Sequence, residues 1–134
     1  MKDNYTYPAI IDLSKPSHVF IEFPDFEYLS TEVDRSGDYI KEAQECLALG
    51  LIDLEESGST IPEPASAGEI ILEDHQKLVY INVWMPYHRT TQKVVYTKKT
   101  LTIPLWLDML AKQNSINFSE VLVDGLKNRL GLNK

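Results

Sequence analysis

The residues with the clearest chemical use lie in a short alternating segment in the last third of the chain. Lys98, Thr100 and Thr102 alternate there with Leu101 and Ile103, and alternate side chains of a β-strand lie on opposite faces. A two-stranded ribbon fits the DNA major groove, where lysine binds guanine acceptors and threonine binds either kind of group. The pattern therefore predicts Lys98, Thr100 and Thr102 as base-reading residues.

The elements that follow would hold this strand against DNA. Pro104 suits the first position of a helix, and residues 105–113 carry leucines at helical spacing. Asn117 suits the N-cap of a second helix, which Gly131 would end. The free N–H groups of that second helix would bind a phosphate. The predicted backbone-positioning residues are Lys99, Asn117, Phe118 and Ser119.

This strand-helix-helix unit is too small to fold alone. It spans the 42 residues after Gln92, near the size of about 40 residues below which extra stabilisation is usually needed. A single strand also leaves unpaired backbone groups, which the same strand of a second copy could pair around a two-fold axis. We therefore expect a homodimer. Its predicted dimerisation residues are Leu101, Ile103, Leu107, Leu110, Phe118, Leu122 and Leu126.

Charge is divided unevenly along the chain. Residues 1–92 hold 6 basic and 17 acidic side chains, a net charge of −11, whereas residues 93–134 hold 7 basic and 3 acidic side chains, a net charge of +4. Such asymmetry indicates two modules with different partners. An acidic module attracts a basic protein, and a basic module can approach nucleic acid. Surface charge that serves only solubility is the alternative.

The front of the chain reads as an α+β module. Alternating segments at Tyr7–Leu13 and His18–Phe23, with a shorter one near 28–33, predict an antiparallel meander. An amphipathic helix follows from Ser36, and the nearly continuous apolar run 78–85 predicts a central strand that is covered on both faces. The helix would cover one face of the sheet.

Three acidic residues crowd the predicted C-terminal end of that helix. Asp53, Glu55 and Glu56 lie where the helix dipole disfavours negative charge. One interpretation is that this helix end is only exposed to solvent. A contact for a basic partner is the other, and it makes these three residues the candidate set for binding a basic protein.

Two motif sets together resemble a known family. Residues 98–130 resemble a ribbon-helix-helix module, most closely in the stretch 117–122, although Gly125 stands where alanine is usual. Tyr7-Pro8-Ala9-Ile10, the segment Val19–Phe26 with its Phe-Pro-Asp, and Ile61-Pro62-Glu63-Pro64 resemble the HicB antitoxin. The chain departs from that family at 26–28, where a glycine-cysteine pair is usual.

The resemblance implies a fold and a function. The fold would be a partial ribonuclease-H-like domain over residues 1–86, a linker over 87–96 and a ribbon-helix-helix DNA-binding and dimerisation domain over 97–134. The first domain would bind a HicA-type toxin, a basic RNA-cleaving protein, and cover its catalytic histidine and RNA surface. The last domain would repress the shared operon as a dimer on operator DNA. No cofactor is implied.

Two other functions are compatible with the residues. Asp12, Glu22, Asp25 and Asp38 lie near predicted strand ends, and converging carboxylates could support two-metal nuclease chemistry. In a chain with 20 acidic residues, a few such positions arise by chance, so we expect no enzyme activity. The runner-up is a ligand- or metal-sensing ribbon-helix-helix repressor unconnected with a toxin.

The metal-sensing alternative rests on three histidines. His18, His75 and His88 could bind nickel or a related ion, but they show no recurring ligand spacing. Cys46 is the only cysteine, which excludes an internal disulfide and fits a reducing compartment. No apolar run approaches the ~18 residues of a membrane helix. We therefore expect a cytoplasmic protein without membrane contact.

Overall fold

The computed structural model describes residues 1–92 and 94–132. Its contacts divide the chain into two compact units, Met1–Val95 and Tyr96–Lys134. The described residues form a four-stranded antiparallel sheet, four α-helices and a short 3-10 helix at Ala67–Glu69. The expected α+β class is therefore confirmed.

The sheet of the first unit contains β1 (Asn4–Asp12), β2 (His18–Glu22), β3 (Ser30–Asp34) and β4 (Gln76–Trp84). Their order is β3-β2-β1-β4, with every pair antiparallel. Odd-numbered side chains of β1, β2 and β4 point into the core, as the alternation in the first two segments predicts. The buried odd-numbered strand residues are Tyr5, Tyr7, Ala9, Ile11, Val19, Ile21, Ile81 and Val83, and Pro8 is also buried, at an even-numbered position.

Helix α1 (Tyr39–Ser57) packs on this odd-numbered face. Asp38 begins the helix by accepting a hydrogen bond from the Lys41 N–H at 3.1 Å, so the N-cap is Asp38 and not Ser36. Gly58 ends the helix at a φ of 71°, where a side chain would be strained. The buried helix residues are Ala43, Leu47, Ala48, Leu51 and Ile52.

Strand β4 lies at an edge of the sheet, and the prediction of a central, doubly covered strand is wrong. The strand pairs with β1 along its whole length. Val83 and Ile81 are buried, whereas Tyr80 and Trp84 are exposed. The apolar run therefore contains two unlike sets of residues, aliphatic at odd positions and mainly aromatic or polar at even positions.

Helix α2 (Met85–Gln92) follows β4 directly, where the sequence suggested a linker. Met85 is buried in the core, and Arg89 bonds to Glu55 at the end of α1. These contacts make residues 85–92 part of the first unit. The prediction of a linker did not include these contacts, because Pro86 and the polar residues after it are typical of a loop.

The second unit contains α3 (Leu105–Gln113) and α4 (Phe118–Arg129). Both helices begin close to the predicted positions, and Gly131 has a φ of 72° just after α4. Residues 97–104 have no strand partner within the described part of this single chain. A Cβ at Gly125 would meet no atom within 4 Å, so packing inside the protomer does not require this glycine.

Candidate functional site: an apolar groove and an acidic module

The second unit carries a groove of about 920 Å³ between residues 99–103 and the two helices. Six of the seven predicted dimerisation residues line it, and only Leu126 is not among the lining residues. The six are Leu101, Ile103, Leu107, Leu110, Phe118 and Leu122. The leucine and isoleucine spacing therefore identified one continuous apolar surface.

This groove has no core behind it. No residue of 96–132 is buried, and Leu110 and Leu126 are 50% and 54% exposed. A folded domain normally buries most of such side chains, and each buried leucine stabilises by about 1.5–3 kcal/mol. The groove is therefore an apolar surface that would form a hydrophobic core only when a second apolar surface covers it.

The polar face of the 98–103 segment is separate from the groove. Lys98, Thr100 and Thr102 are exposed and do not contribute to the groove lining, whereas Lys99 does. Odd and even residues thus face different ways, as expected for an extended segment. The three base-reading candidates share one accessible side, and Lys99 lies at the groove.

The start of α4 is built as predicted. The Asn117 side chain accepts a hydrogen bond from the Glu120 N–H at 3.1 Å, which confirms the N-cap. Asn117 therefore shapes the helix end, and the neighbouring N–H groups remain the candidate phosphate donors. Phe118 and Ser119 line the groove beside them, so this end of α4 borders both predicted surfaces.

The acidic end of α1 is less available than the sequence suggests. Both carboxylate oxygens of Glu55 accept hydrogen bonds from Arg89, at 3.1 and 2.7 Å, and the Glu55 side chain is only 8% exposed. The hydrogen bonds to Glu55 raise the pKa of Arg89 above its usual value. Glu55 therefore does not fit the contact role predicted for it, whereas Asp53 and Glu56 are exposed.

Arg89 is the residue that the sequence reading missed here. It also donates to Asp3 at 3.1 Å and to the Lys2 carbonyl at 2.6 Å. It thus connects the start of β1, the end of α1 and α2. The sequence gives one indication of this role: Arg89 lies in a polar segment and is one of the few basic residues among residues 1–92.

Three of the four carboxylates of the nuclease alternative serve separate structural purposes. Asp38 caps α1, and Asp25 accepts a hydrogen bond from the Ala65 N–H at 2.8 Å. Asp12 accepts one from the Ser14 N–H at 2.9 Å. The hydrogen bonds from Ser14 are the main reason that the pKa of Asp12 falls to about 2. Glu22 lies exposed on the sheet.

The three histidines lie in different parts of the first unit: on β2, in the turn before β4 and on α2. His75 contacts Asp12 and Glu73, each at 3.3 Å. His18 accepts from or donates to Ser17, and His88 lies on α2, where burial lowers its pKa. In the described ranges 1–92 and 94–132, no group of three or more His, Cys, Asp and Glu residues could hold a metal ion.

One solved structure resembles the chain over nearly its whole length. It is a chain of a toxin-antitoxin complex from Streptococcus pneumoniae, with a TM-score of 0.58 and 26% sequence identity. The match covers 94% of this chain and 99% of that chain. No family model and no curated protein matches.

None of the described helices is long and apolar enough to cross a membrane. Trp84 and Trp106, which the sequence suggests as core or dimer contacts, are 57% and 63% exposed. Neither is a core residue of the protomer.

Proposed function

We propose that this chain is an antitoxin that neutralises a HicA-type ribonuclease toxin and represses its own operon. The observation that carries the proposal is the similarity to a chain of a toxin-antitoxin complex across both units. The first unit would bind the toxin, and the second would dimerise and bind operator DNA.

The charge division supports separate partners for the two units. Residues 1–92 carry a net charge of −11, which attracts a basic RNA-binding protein and repels phosphate. Residues 93–134 carry a net charge of +4, which favours a nucleic-acid backbone. Each unit thus carries a net charge of the sign that attracts its proposed partner.

The groove supports assembly as a ribbon-helix-helix dimer. In such a dimer, residues 98–103 of the two copies would lie side by side and pair as antiparallel strands. This pairing would bury the groove of each copy. The same pairing would place Lys98, Thr100 and Thr102 of both copies side by side on the outside of the ribbon. That arrangement suits readout in the major groove.

Co-expression with a HicA-type toxin tests the antitoxin role. The toxin alone should arrest growth, and the full chain should restore growth and co-purify with the toxin. A catalytically inactive toxin serves as the control for expression. Failure to rescue and to co-purify would contradict the proposed function.

Operator binding has its own test. The full chain should shift the electrophoretic mobility of a DNA fragment from upstream of its own gene. An excess of unrelated DNA should not abolish that shift. Specific binding usually exceeds non-specific binding by 10³-fold or more at physiological salt. Equal competition by unrelated DNA would contradict the repressor role.

A further inference from the structure

The sheet of the first unit has a face that α1 does not cover. In β1, β2 and β4 the odd-numbered side chains meet α1, and the partly buried Val33 of β3 joins the same core. The even-numbered side chains of β1–β4 point to the opposite side, which we call the outer face. On this face Pro8 is buried and Ile10 and Leu78 are half-buried, whereas most positions on β2 and β3 and the second half of β4 are exposed.

Exposed aromatic residues lie on the outer face. Phe20 is 41% exposed and Tyr80 is 50% exposed. Trp84, at the end of β4, shares their even register and is also exposed. In strand register Tyr80 lies opposite Pro8 and Trp84 opposite Asn4, whereas Phe20 lies opposite Asp12, so the three rings are separate apolar contacts along this face and not one cluster.

The charged strand positions of the outer face are acidic. They are Asp12, Glu22, Glu32 and Asp34. The four strands contain one lysine and no arginine; the odd number of Lys77 places it on the other side, while His18 lies on the outer face opposite Asp34. An aromatic and acidic surface repels phosphate and favours the arginine and lysine side chains of a protein.

Strand register places the charges around an aromatic ring. Phe20 pairs with Asp12 of β1 on one side and with Glu32 of β3 on the other. Directly opposed Cβ atoms lie about 5 Å apart. A guanidinium stacked on the Phe20 ring would therefore lie within reach of a carboxylate on either side.

Of these two carboxylates Glu32 is the more available, because Asp12 already accepts a hydrogen bond from Ser14 and contacts His75. Glu32 has an exposed contact with Lys15 at 3.7 Å, which is a weak surface pair. Asp12 carries a pKa of about 2 and is therefore ionised at neutral pH. The acidic end of α1 differs, because Glu55 is already paired with Arg89.

We infer that the outer face is the surface on which the toxin docks, through arginine and lysine side chains that stack on Phe20 and Tyr80 and pair with Glu22 and Glu32. This inference rests on the proposed antitoxin function and names the surface that performs it. It moves the toxin contact from the end of α1 to the middle of the sheet.

Binding of a purified, catalytically inactive HicA-type toxin to variants of the full chain tests the inference. Phe20→Ser and Glu32→Lys should each weaken the complex at least about tenfold, with the charge reversal acting mainly on the association rate. Asp53→Lys changes the charge equally at the end of α1 and should alter affinity less than about threefold. Thermal denaturation checks that each variant remains folded.

The outcomes separate the two proposals. If the wild-type chain binds and the outer-face variants bind equally well, the docking surface is wrong while the antitoxin function stands. Loss of binding in Asp53→Lys alone would also overturn the docking surface. If the wild-type chain does not bind the toxin, the antitoxin function fails and the inference fails with it.

Discussion

Arg89 and Glu55 form a two-point ion pair that joins α2 to the end of α1, with N–O distances of 3.1 and 2.7 Å. The Arg89 side chain is 21% exposed and that of Glu55 is 8% exposed. The pair explains why residues 85–92 belong to the first unit. It also explains why one of the three acidic residues at the helix end is not an open contact.

Replacing Arg89 should destabilise the first unit. Arg89→Met leaves the Glu55 carboxylate mostly buried without its cation, and we expect a loss of about 2–3 kcal/mol in the free energy of unfolding. Urea denaturation measures the loss. Lys15→Met removes a cation from an exposed pair and should cost less than about 1 kcal/mol. Equal losses in the two variants would contradict the structural role of Arg89.

Tyr7 should make stability depend on alkaline pH. Its hydroxyl donates to the Pro62 carbonyl at 2.5 Å, and burial raises its pKa from 10.0 to about 12. The folded state favours the neutral form of Tyr7. The stabilisation of the folded state by this hydroxyl is therefore complete below pH 10 and is lost as pH rises through 12. Tyr7→Phe should cost about 1 kcal/mol at pH 8, and the difference from wild type should narrow between pH 10 and 12.

Urea denaturation of wild type and Tyr7→Phe at several pH values between 8 and 12 measures this effect. The comparison cancels the titration of the other tyrosines and lysines, because both proteins contain them. A difference in unfolding free energy that stays constant across this range would show that the Tyr7 hydroxyl does not titrate as the structure indicates.

A charge in the groove should prevent self-association. Leu110→Glu places a carboxylate in the surface that two copies would bury, and we expect the dimer to weaken by about 3 kcal/mol, or about 100-fold in Kd. Met109→Glu is the matched control, because Met109 is exposed on the same helix but does not line the groove. Sedimentation equilibrium of the full chain distinguishes them.

The wild-type chain should sediment as a dimer at micromolar concentration, and so should Met109→Glu. A folded wild-type monomer at that concentration would refute the assembly itself. Equal sedimentation of Leu110→Glu and wild type would instead exclude the groove as the interface.

Lys98 should contribute to sequence readout. Lys98→Ala removes a base-edge contact from each copy, and we expect operator binding to weaken by about 1–3 kcal/mol per site with relaxed preference at one base position. Lys127→Ala removes the same charge from the last turn of α4 and should weaken binding without changing base preference. Footprinting and titration on operator variants measure both. An unchanged affinity and footprint for Lys98→Ala would remove it from the interface.

Local patterns predicted the elements of this chain well. The alternation around Ala9 and Ile21 placed both on the core face, and Asn117 was predicted as the cap that it is. These features depend on neighbours in sequence, so one chain is enough to show them. The groove residues were found for the same reason, because helical spacing groups them.

Long-range relationships were harder to predict. The edge position of β4 depends on strand order, which the apolar run at 78–85 does not contain. The Arg89–Glu55 pair joins residues 34 positions apart, so spacing rules cannot indicate it. The outer face needed the register of three strands before Phe20, Asp12 and Glu32 became neighbours.

The absence of any buried residue in 96–132 has a consequence for dosage. When protomers predominate, the amount of paired protein rises with the square of total concentration, so a doubling of the chain yields about four times as much dimer. Under the proposed repressor function, shut-off of the operon would therefore sharpen into a threshold, set by how readily one polypeptide meets another of its kind.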